Sequence, residues 1–564
     1  MAGHMLRWLL GLPVLFGLTT HAAAQTPDLI LHNGKIVTVD GRFSIASALA
    51  IRGERIVAVG TNEEVRRLAG PSTRQSDLAG RTVIPGLIDN HLHYLRGATL
   101  TPFETRLEGI LTRKAALEKI AARAKELGPG SGPGKWIFVI GGWHEQQFKD
   151  RPGGFTLEEL DAASPQNPVF IQKTYSAFYM NTLARDLVAS RIGDLYKGKL
   201  PIETGSLEGR RVMYAALRYA PHPIREVVPA AAERSKGAGN AYQEESDTPP
   251  LPVDQIRAYN SILNGMGLTT VYDVGYLDGT HAPISGLHAT GNLTLRVFWT
   301  LQRYPRDASE VDEVAALIGR EQPHNRNDWF GIIGIGEHVY PGIQDLSLNA
   351  SRVFPKVAYD QFAKLATAAA RRGWPIHQHL MVNSTIEGYL SISEEIAKSH
   401  PIAPLRWTIA HTDLITKESI EKAKRLGWVI ALHNQVVKPL NPLGETPPVK
   451  MIHDSGITYG LGSDGSIVAT VNPFLTLWQY TSGRIFPDKV LHRDTLSREQ
   501  ALIAHTRSNA WLLFMEKDLG QLEAGKLADL VVLDRDYLTV PVDQIRDIQP
   551  VLTMVGGKVV HGAL

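Results

Sequence analysis

Two histidine pairs, His91-Leu92-His93 and His377-Gln378-His379, are the first residues in this chain whose types and spacing suggest chemistry. In a strand, side chains two apart share a face, so each pair can present two imidazoles to one ion. The spacing alone is weak, because 20 histidines in 564 residues give about 0.7 such pairs by chance, against the two present. His411 ends the apolar run Trp407-Thr408-Ile409-Ala410, and Asp464 sits in Gly460-Leu461-Gly462-Ser463-Asp464-Gly465. Each of these ionisable residues caps an apolar run, and the intervals 377 to 411 and 411 to 464 are about one β/α unit long. Taken singly, such histidines are more often satisfied core or loop residues. Taken jointly, they meet at one mouth if the runs are successive strands of a barrel. The chemistry would be a divalent metal held by imidazole and carboxylate, one or two ions per chain. Zinc is the default for such donors, with iron, manganese and nickel as alternatives. The chain contains no cysteine, which excludes disulfides, thiolate nucleophiles, iron–sulfur clusters and Cys-based zinc sites.

The elements that must position these residues follow from the hydrophobic pattern. The runs 83–88, 136–140, 168–172, 269–274, 295–301, 331–335, 375–377, 407–410, 428–432 and 457–461 alternate with charged, Ala-rich helical stretches such as 114–127, 359–372 and 417–426. Continuous apolar runs between helices read as buried parallel strands, and this many fit a closed barrel better than an open sheet. The fold class is therefore α/β, a (β/α)8 TIM-type barrel over 84–514. A Gly-, Pro- and charge-rich stretch at about 191–252 fits no unit and is read as an insertion or lid. Short strands at both ends, 28–83 and 515–564, pair most economically in one small composite β-sandwich.

Composition bounds the rest. Hydrophobic residues make up 43% and the net charge is +2, which excludes a disordered chain and leaves no electrostatic case for nucleic acid. Arg7, the apolar run 8–18 and Ala22-Ala23-Ala24 have the layout of a signal peptide over 1–24. The expectation is an exported protein, periplasmic or secreted, with no stable membrane anchor after cleavage. A retained anchor is the less favoured reading, since a spanning helix needs about 20 residues.

Val83-Ile84-Pro85-Gly86-Leu87-Ile88-Asp89-Asn90-His91-Leu92-His93 resembles the entry into the barrel of the metal-dependent amidohydrolase superfamily. The segment Leu519-Gly520-Gln521-Leu522-Glu523-Ala524-Gly525-Lys526-Leu527-Ala528-Asp529-Leu530-Val531-Val532-Leu533 resembles its C-terminal return strand. The likeness covers nearly the whole mature chain and is greatest to amidohydrolase family 3, the branch that includes N-substituted formamide deformylase. It implies a barrel plus a composite β domain, with His91, His93, His377 and His411 as metal ligands and Asp464 as metal-linked general base. Many relatives carry a bridging carbamylated lysine at the end of the fourth strand. Here that stretch, Gly331 to His338, has none, so Glu337 is expected to bridge two metals or to move protons beside one, and Lys173 is a weaker substitute. A histidine common in relatives before Asn181 is replaced within Tyr175-Ser176-Ala177-Phe178-Tyr179, so the family's substrate contact does not carry over.

Position alone adds Trp143, His144, Tyr340, His379 and His433 as candidate substrate contacts, each with loop packing as its bland alternative. The expected reaction is hydrolysis of a C–N bond in a small amide, cyclic amide or N-acyl compound by metal-activated water. Two alternatives stay open: an esterase or lactonase on the same site, and a non-catalytic exported binding or regulatory protein. The chain is expected to act on a small molecule and to be compatible with a homo-oligomer.

Overall fold

The computed structural model describes residues 26–174, 177–193, 201–203, 206–222, 224–225, 251–275, 281–301, 305, 307–343, 345, 354–436 and 446–564. Eight parallel strands form one sheet: β1 (Leu87–Leu92), β2 (Leu268–Asp273), β3 (Arg296–Leu301), β4 (Phe330–Glu337), β5 (Ile376–Val382), β6 (Thr408–Leu414), β7 (Val429–His433) and β8 (Tyr459–Gly462). Each pairs with the next in parallel. The sheet curls until its ends meet. Leu92 bridges Gly465, and the Asp464 N–H donates to the His91 carbonyl at 2.8 Å. The strands are apolar runs because helices cover their outer faces and packed side chains fill the interior. Helices Lys356–Arg372, Asn383–Ala397 and Lys417–Leu426 supply that cover, their Leu365, Ile386 and Ile420 fully buried.

The two ends of the chain build one sandwich. A four-stranded sheet runs in the order Arg55–Gly60, Ala48–Arg52, Leu29–His32, Arg74–Asp77. A six-stranded sheet runs Lys558–Gly562, Pro550–Val555, Leu530–Leu533, Thr82–Pro85, Lys35–Val37, Ile45–Ala46. Val83 opposite Val532 joins the two termini, and Leu31, Ile51, Val83, Val532 and Met554 share one core between the sheets. Arg296 at the base of β3 grips Asp529 with two hydrogen bonds of 2.8 and 2.9 Å, which fastens barrel to sandwich.

The largest departure from the sequence reading lies between β1 and β2. The runs 136–140 and 168–172 are not barrel strands. They belong to a separate sheet, ordered Ile202–Glu203, Ala177–Met180, Val169–Lys173, Ile137–Val139. Its two faces are covered by different apolar clusters, one holding Phe138, Phe170 and Phe178, the other Ile137, Val139 and Ile171. Burial on both faces makes its strands read like barrel strands. The insertion expected at 191–252 is thus one part of a longer excursion, and much of that stretch lies outside the described residues, as does the signal peptide expected at 1–24. The excursion reaches the barrel mouth. A Cβ on Gly141 would stand 1.7 Å from the Ser466 carbonyl oxygen, so only glycine allows this approach. Among the described residues, no helix is long and apolar enough to cross a membrane.

Candidate metal centre

The C-terminal ends of β1, β4, β5, β6, β7 and β8 bring imidazoles and carboxylates to one mouth. His91 is the fifth residue of β1. Its Nδ1 lies 2.9 Å from His377 Nε2, which leaves Nε2 facing Glu337 Oε2 at 2.9 Å and Asp464 Oδ1 at 3.7 Å. His93 follows β1 and is fixed from behind. Its Nδ1 hydrogen-bonds the Gly275 carbonyl at 2.8 Å, so the proton sits there and Nε2 turns to Asp464 Oδ1 at 3.3 Å. A backbone carbonyl on one ring nitrogen is the ordinary device for freeing the other as a ligand.

Glu337 ends β4, with Oε1 3.0 Å from His338 Nε2 and 3.7 Å from His379 Nδ1. Burial alone would raise its carboxyl, yet the surrounding imidazoles, His338 foremost, hold it well below the usual carboxylate range. Burial would also lower His93 and His379. The nearby carboxylates, Asp464 beside His93 and Glu337 beside His379, outweigh it and raise both. Gly336 is required next to Glu337. Its φ is +147°, and a Cβ there would stand 1.9 Å from the His377 carbonyl oxygen.

His411 (φ +77°) and Asp464 (φ +55°) both hold left-handed backbone, a conformation costing roughly 1–3 kcal/mol that clusters at functional sites. His411 Nδ1 is 2.8 Å from His433 Nδ1 and 3.9 Å from Asp464 Oδ2. Asp89 straps β1 to the loop after β8: its Oδ1 accepts the N–H groups of His91 (3.1 Å) and Ser463 (3.0 Å). Burial pushes the Asp89 carboxyl up to about 6.

Three overlapping donor groups have ligand atoms within 4.8 Å of one another: His91, His93 and Glu337; Glu337, His379 and His411; and His91, His411 and His433. His91 Nε2, Glu337 Oε2 and both ring nitrogens of His379 are buried and, although the first two lie 2.9 Å apart, make no well-aligned hydrogen bond among the described residues. Leaving so many buried donor atoms unmatched would be costly in a protein interior. A cation in their midst satisfies them, so the residues fit a metal.

The structure gathers His91, His93, Glu337, His379, His411, His433 and Asp464. It sets His377 apart, in none of the three groups, because His377 aligns with Thr408 near the start of β6 while His379 aligns with Ala410 beside His411. The remaining sequence candidates are held elsewhere. Trp143 packs with Phe148 and Phe155 and donates its indole N–H to the Gln172 carbonyl. His144 Nδ1 accepts the Gln146 N–H in a one-turn cap. Tyr340 is buried in the main apolar core, and Lys173 pairs with Glu145 at 3.1 Å in the inserted sheet. Sequence reasoning assigned no role to His338 or Asp345. Asp345 Oδ2 accepts the Met381 and Val382 N–H groups at 2.8 and 2.9 Å, and its Oδ1 lies 3.8 Å from His379 Nε2. Its place in a loop gave no periodic signal.

A closed parallel barrel with imidazoles and carboxylates converging at the C-terminal ends of its strands defines a metal-dependent hydrolase. The chain belongs to the amidohydrolase family, whose model matches residues 75–561. It is similar to N-substituted formamide deformylase of Arthrobacter pascens, 25% identical over 562 residues, covering 94% of this chain and 98% of that protein. It is also similar to the exoenzymes regulatory protein AepA of Pectobacterium carotovorum, at 24% over 434 residues, with 73% and 85% covered. Among solved structures, an uncharacterized metal-dependent hydrolase from Pyrococcus horikoshii superposes with a TM-score of 0.60 at 19% identity, covering 91% of this chain and 99% of that one.

Proposed function

We propose that this protein is an exported hydrolase of carbon–nitrogen bonds in a small amide, cyclic amide or N-acyl compound, built on a binuclear metal centre. The observation that carries the reading is the sharing of Glu337 between two donor triads, His91–His93–Glu337 and Glu337–His379–His411. His379 takes the ligand place on β5 that sequence reasoning gave to His377. Zinc is the metal these nitrogen and oxygen donors favour first. When bound, divalent ions at such a site activate water as the nucleophile and polarise a carbonyl.

The chain's own residues do the rest. Asp464 is 3.3 Å from His93 Nε2 and within 3.9 Å of His411 Nδ1, where its carboxylate accepts the proton of the attacking water and returns it to the leaving nitrogen. His433, whose Nδ1 lies 2.8 Å from His411 Nδ1, orients that ring. The loop after β8, pinned by Asp89 and abutted by Gly141, holds Asp464 in place. Family membership and the relative named as a deformylase support the carbon–nitrogen assignment. The full donor set supports catalysis here. The N-terminal layout supports export, and N-terminal sequencing of protein secreted or released from the periplasm should begin at Gln25.

The test is Asp464→Asn assayed on matched amide and ester substrates. Turnover should fall by at least ~100-fold, the lower end for a general acid–base group, while metal content holds. Amide turnover should exceed ester turnover relative to the uncatalysed rates. Unchanged turnover in the variant, or activity confined to esters, would sink the proposal.

A further inference from the structure

We infer that His377 is the positioning residue of the centre: it fixes the tautomer and ring orientation of His91 from beneath, as a neutral His–His pair, and does not itself ligate metal. The inference rests on the reading of His91 as a ligand given above. Two ring nitrogens 2.9 Å apart, His91 Nδ1 and His377 Nε2, can share only one proton, so one donates and the other accepts. His91 ligates through Nε2, the atom that faces Glu337 and Asp464. A ligating nitrogen needs its lone pair, so the His91 proton sits on Nδ1 and donates to His377 Nε2. His377 then carries its own proton on Nδ1. Each proton position follows from the one before, starting at the metal.

The surroundings of His377 suit that role. It is 3% exposed, its ring lies edge-on to Tyr272 with centroids 5.6 Å apart, and it borders a cavity of about 10 Å³ also lined by Asn90 and Thr408. That is room for about one water. Asn90 Oδ1 is buried without a hydrogen-bond partner among the described residues. A water there can donate to Asn90 Oδ1, and because water both donates and accepts, the cavity leaves His377 free to take the tautomer that His91 imposes. An aliphatic side chain here would fill the barrel interior equally well, and a histidine costs burial of two polar nitrogens. The pairing with His91 gives that cost a purpose.

The experiment uses His377→Leu, His377→Gln and His91→Ala, each freed of metal and titrated with zinc against a competing chelator. Thermal unfolding of the metal-free forms checks that each folds. His377→Leu should weaken zinc binding by ~10–100-fold, the range for a lost partner behind a metal ligand, with stoichiometry unchanged at saturation. His377→Gln should stay close to the parent, because its amide oxygen can stand where Nε2 accepts. Nitrogen-15 spectra of histidine-labelled, zinc-loaded protein should show His377 protonated on Nδ1. Unchanged affinity in His377→Leu would overturn the inference. So would loss of one ion in both His377 variants, since His377 would then be a ligand. If His377→Leu does not fold, the parent spectrum decides: a His377 protonated on Nε2 overturns the pairing. Full zinc binding by His91→Ala would mean instead that the reading of the centre has failed.

Discussion

Glu337→Ala tests the architecture of the centre most directly, because Glu337 belongs to both donor triads. Removing it leaves the two halves unequal. On one side His91 and His93 remain with Asp464, whose Oδ1 is 3.7 and 3.3 Å from their Nε2 atoms. Three ligands plus water suffice for a tetrahedral ion. On the other side His379 and His411 remain of their triad, and the third group, His91, His411 and His433, could serve a second ion only by drawing His91 from the first, which leaves that ion short of the three protein ligands that catalytic zinc sites keep. On the binuclear proposal the variant should therefore hold one zinc per chain and the parent two. The cost to the second ion should exceed ~100-fold in affinity, the upper end of what even a lost outer partner costs, which is about 2.7 kcal/mol. Elemental analysis after exhaustive dialysis reads the stoichiometry, and chelator competition reads the affinity. Two zincs retained in Glu337→Ala would refute the shared-carboxylate geometry. A folded variant with none would refute the division into unequal halves.

Other expectations follow from the same structure. Gly141→Ala, which places a methyl against the Ser466 carbonyl oxygen, should destabilise by ~1–3 kcal/mol as overpacking does and lower turnover by shifting the loop that carries Asp464; thermal unfolding and steady-state kinetics would check both. Asp529→Ala should cost about 3–5 kcal/mol, because it leaves the fully buried Arg296 without its carboxylate; denaturant unfolding that shows no loss would refute this. Burial lowers His505 to about 4, so the folded chain keeps it neutral while the unfolded chain protonates it below about 6.5. Its contribution is complete above that pH and is lost as pH falls toward 4, by roughly 3 kcal/mol in all. His505→Gln should accordingly remove that part of the pH dependence, and parent and variant curves that run parallel from pH 7 to 4.5 would count against it.

The barrel was legible because its strands are apolar runs that end in chemistry. Seven of the runs read as strands from 269 onward are β2 to β8, and 83–88 straddles the last sandwich strand and the start of β1. The composite sandwich was legible for a different reason, since short strands at two distant termini have few partners but each other. The excursion after β1 was not. Phe138 and Phe170 face one cluster while Ile137 and Ile171 face another, so a small sheet sealed on both faces carries the same continuous hydrophobicity as a barrel strand. Pattern reports burial, and burial does not say against which body.

The same limit explains why the structure gathers His379, and not His377, with the other donors. Alternation correctly places both on the inward face of β5, because they are two residues apart. Depth along the barrel axis is a separate coordinate, set by how neighbouring strands are staggered. His377 is level with Gly336 and Thr408, one step short of Glu337 and three short of His411, whereas His379 is level with Ala410. Two residues along a strand are about 6.6 Å apart in backbone rise, so the rings of such a pair reach one ion only where they tilt toward each other. Here His379 joins the donor triads, while the His377 ring meets His91 Nδ1 instead. A single sequence holds no term for that stagger, since it arises from the pairing of strands about 30 residues apart. On β1 the second histidine does join the first, because the chain leaves the strand after Leu92 and the His93 ring swings back into the mouth.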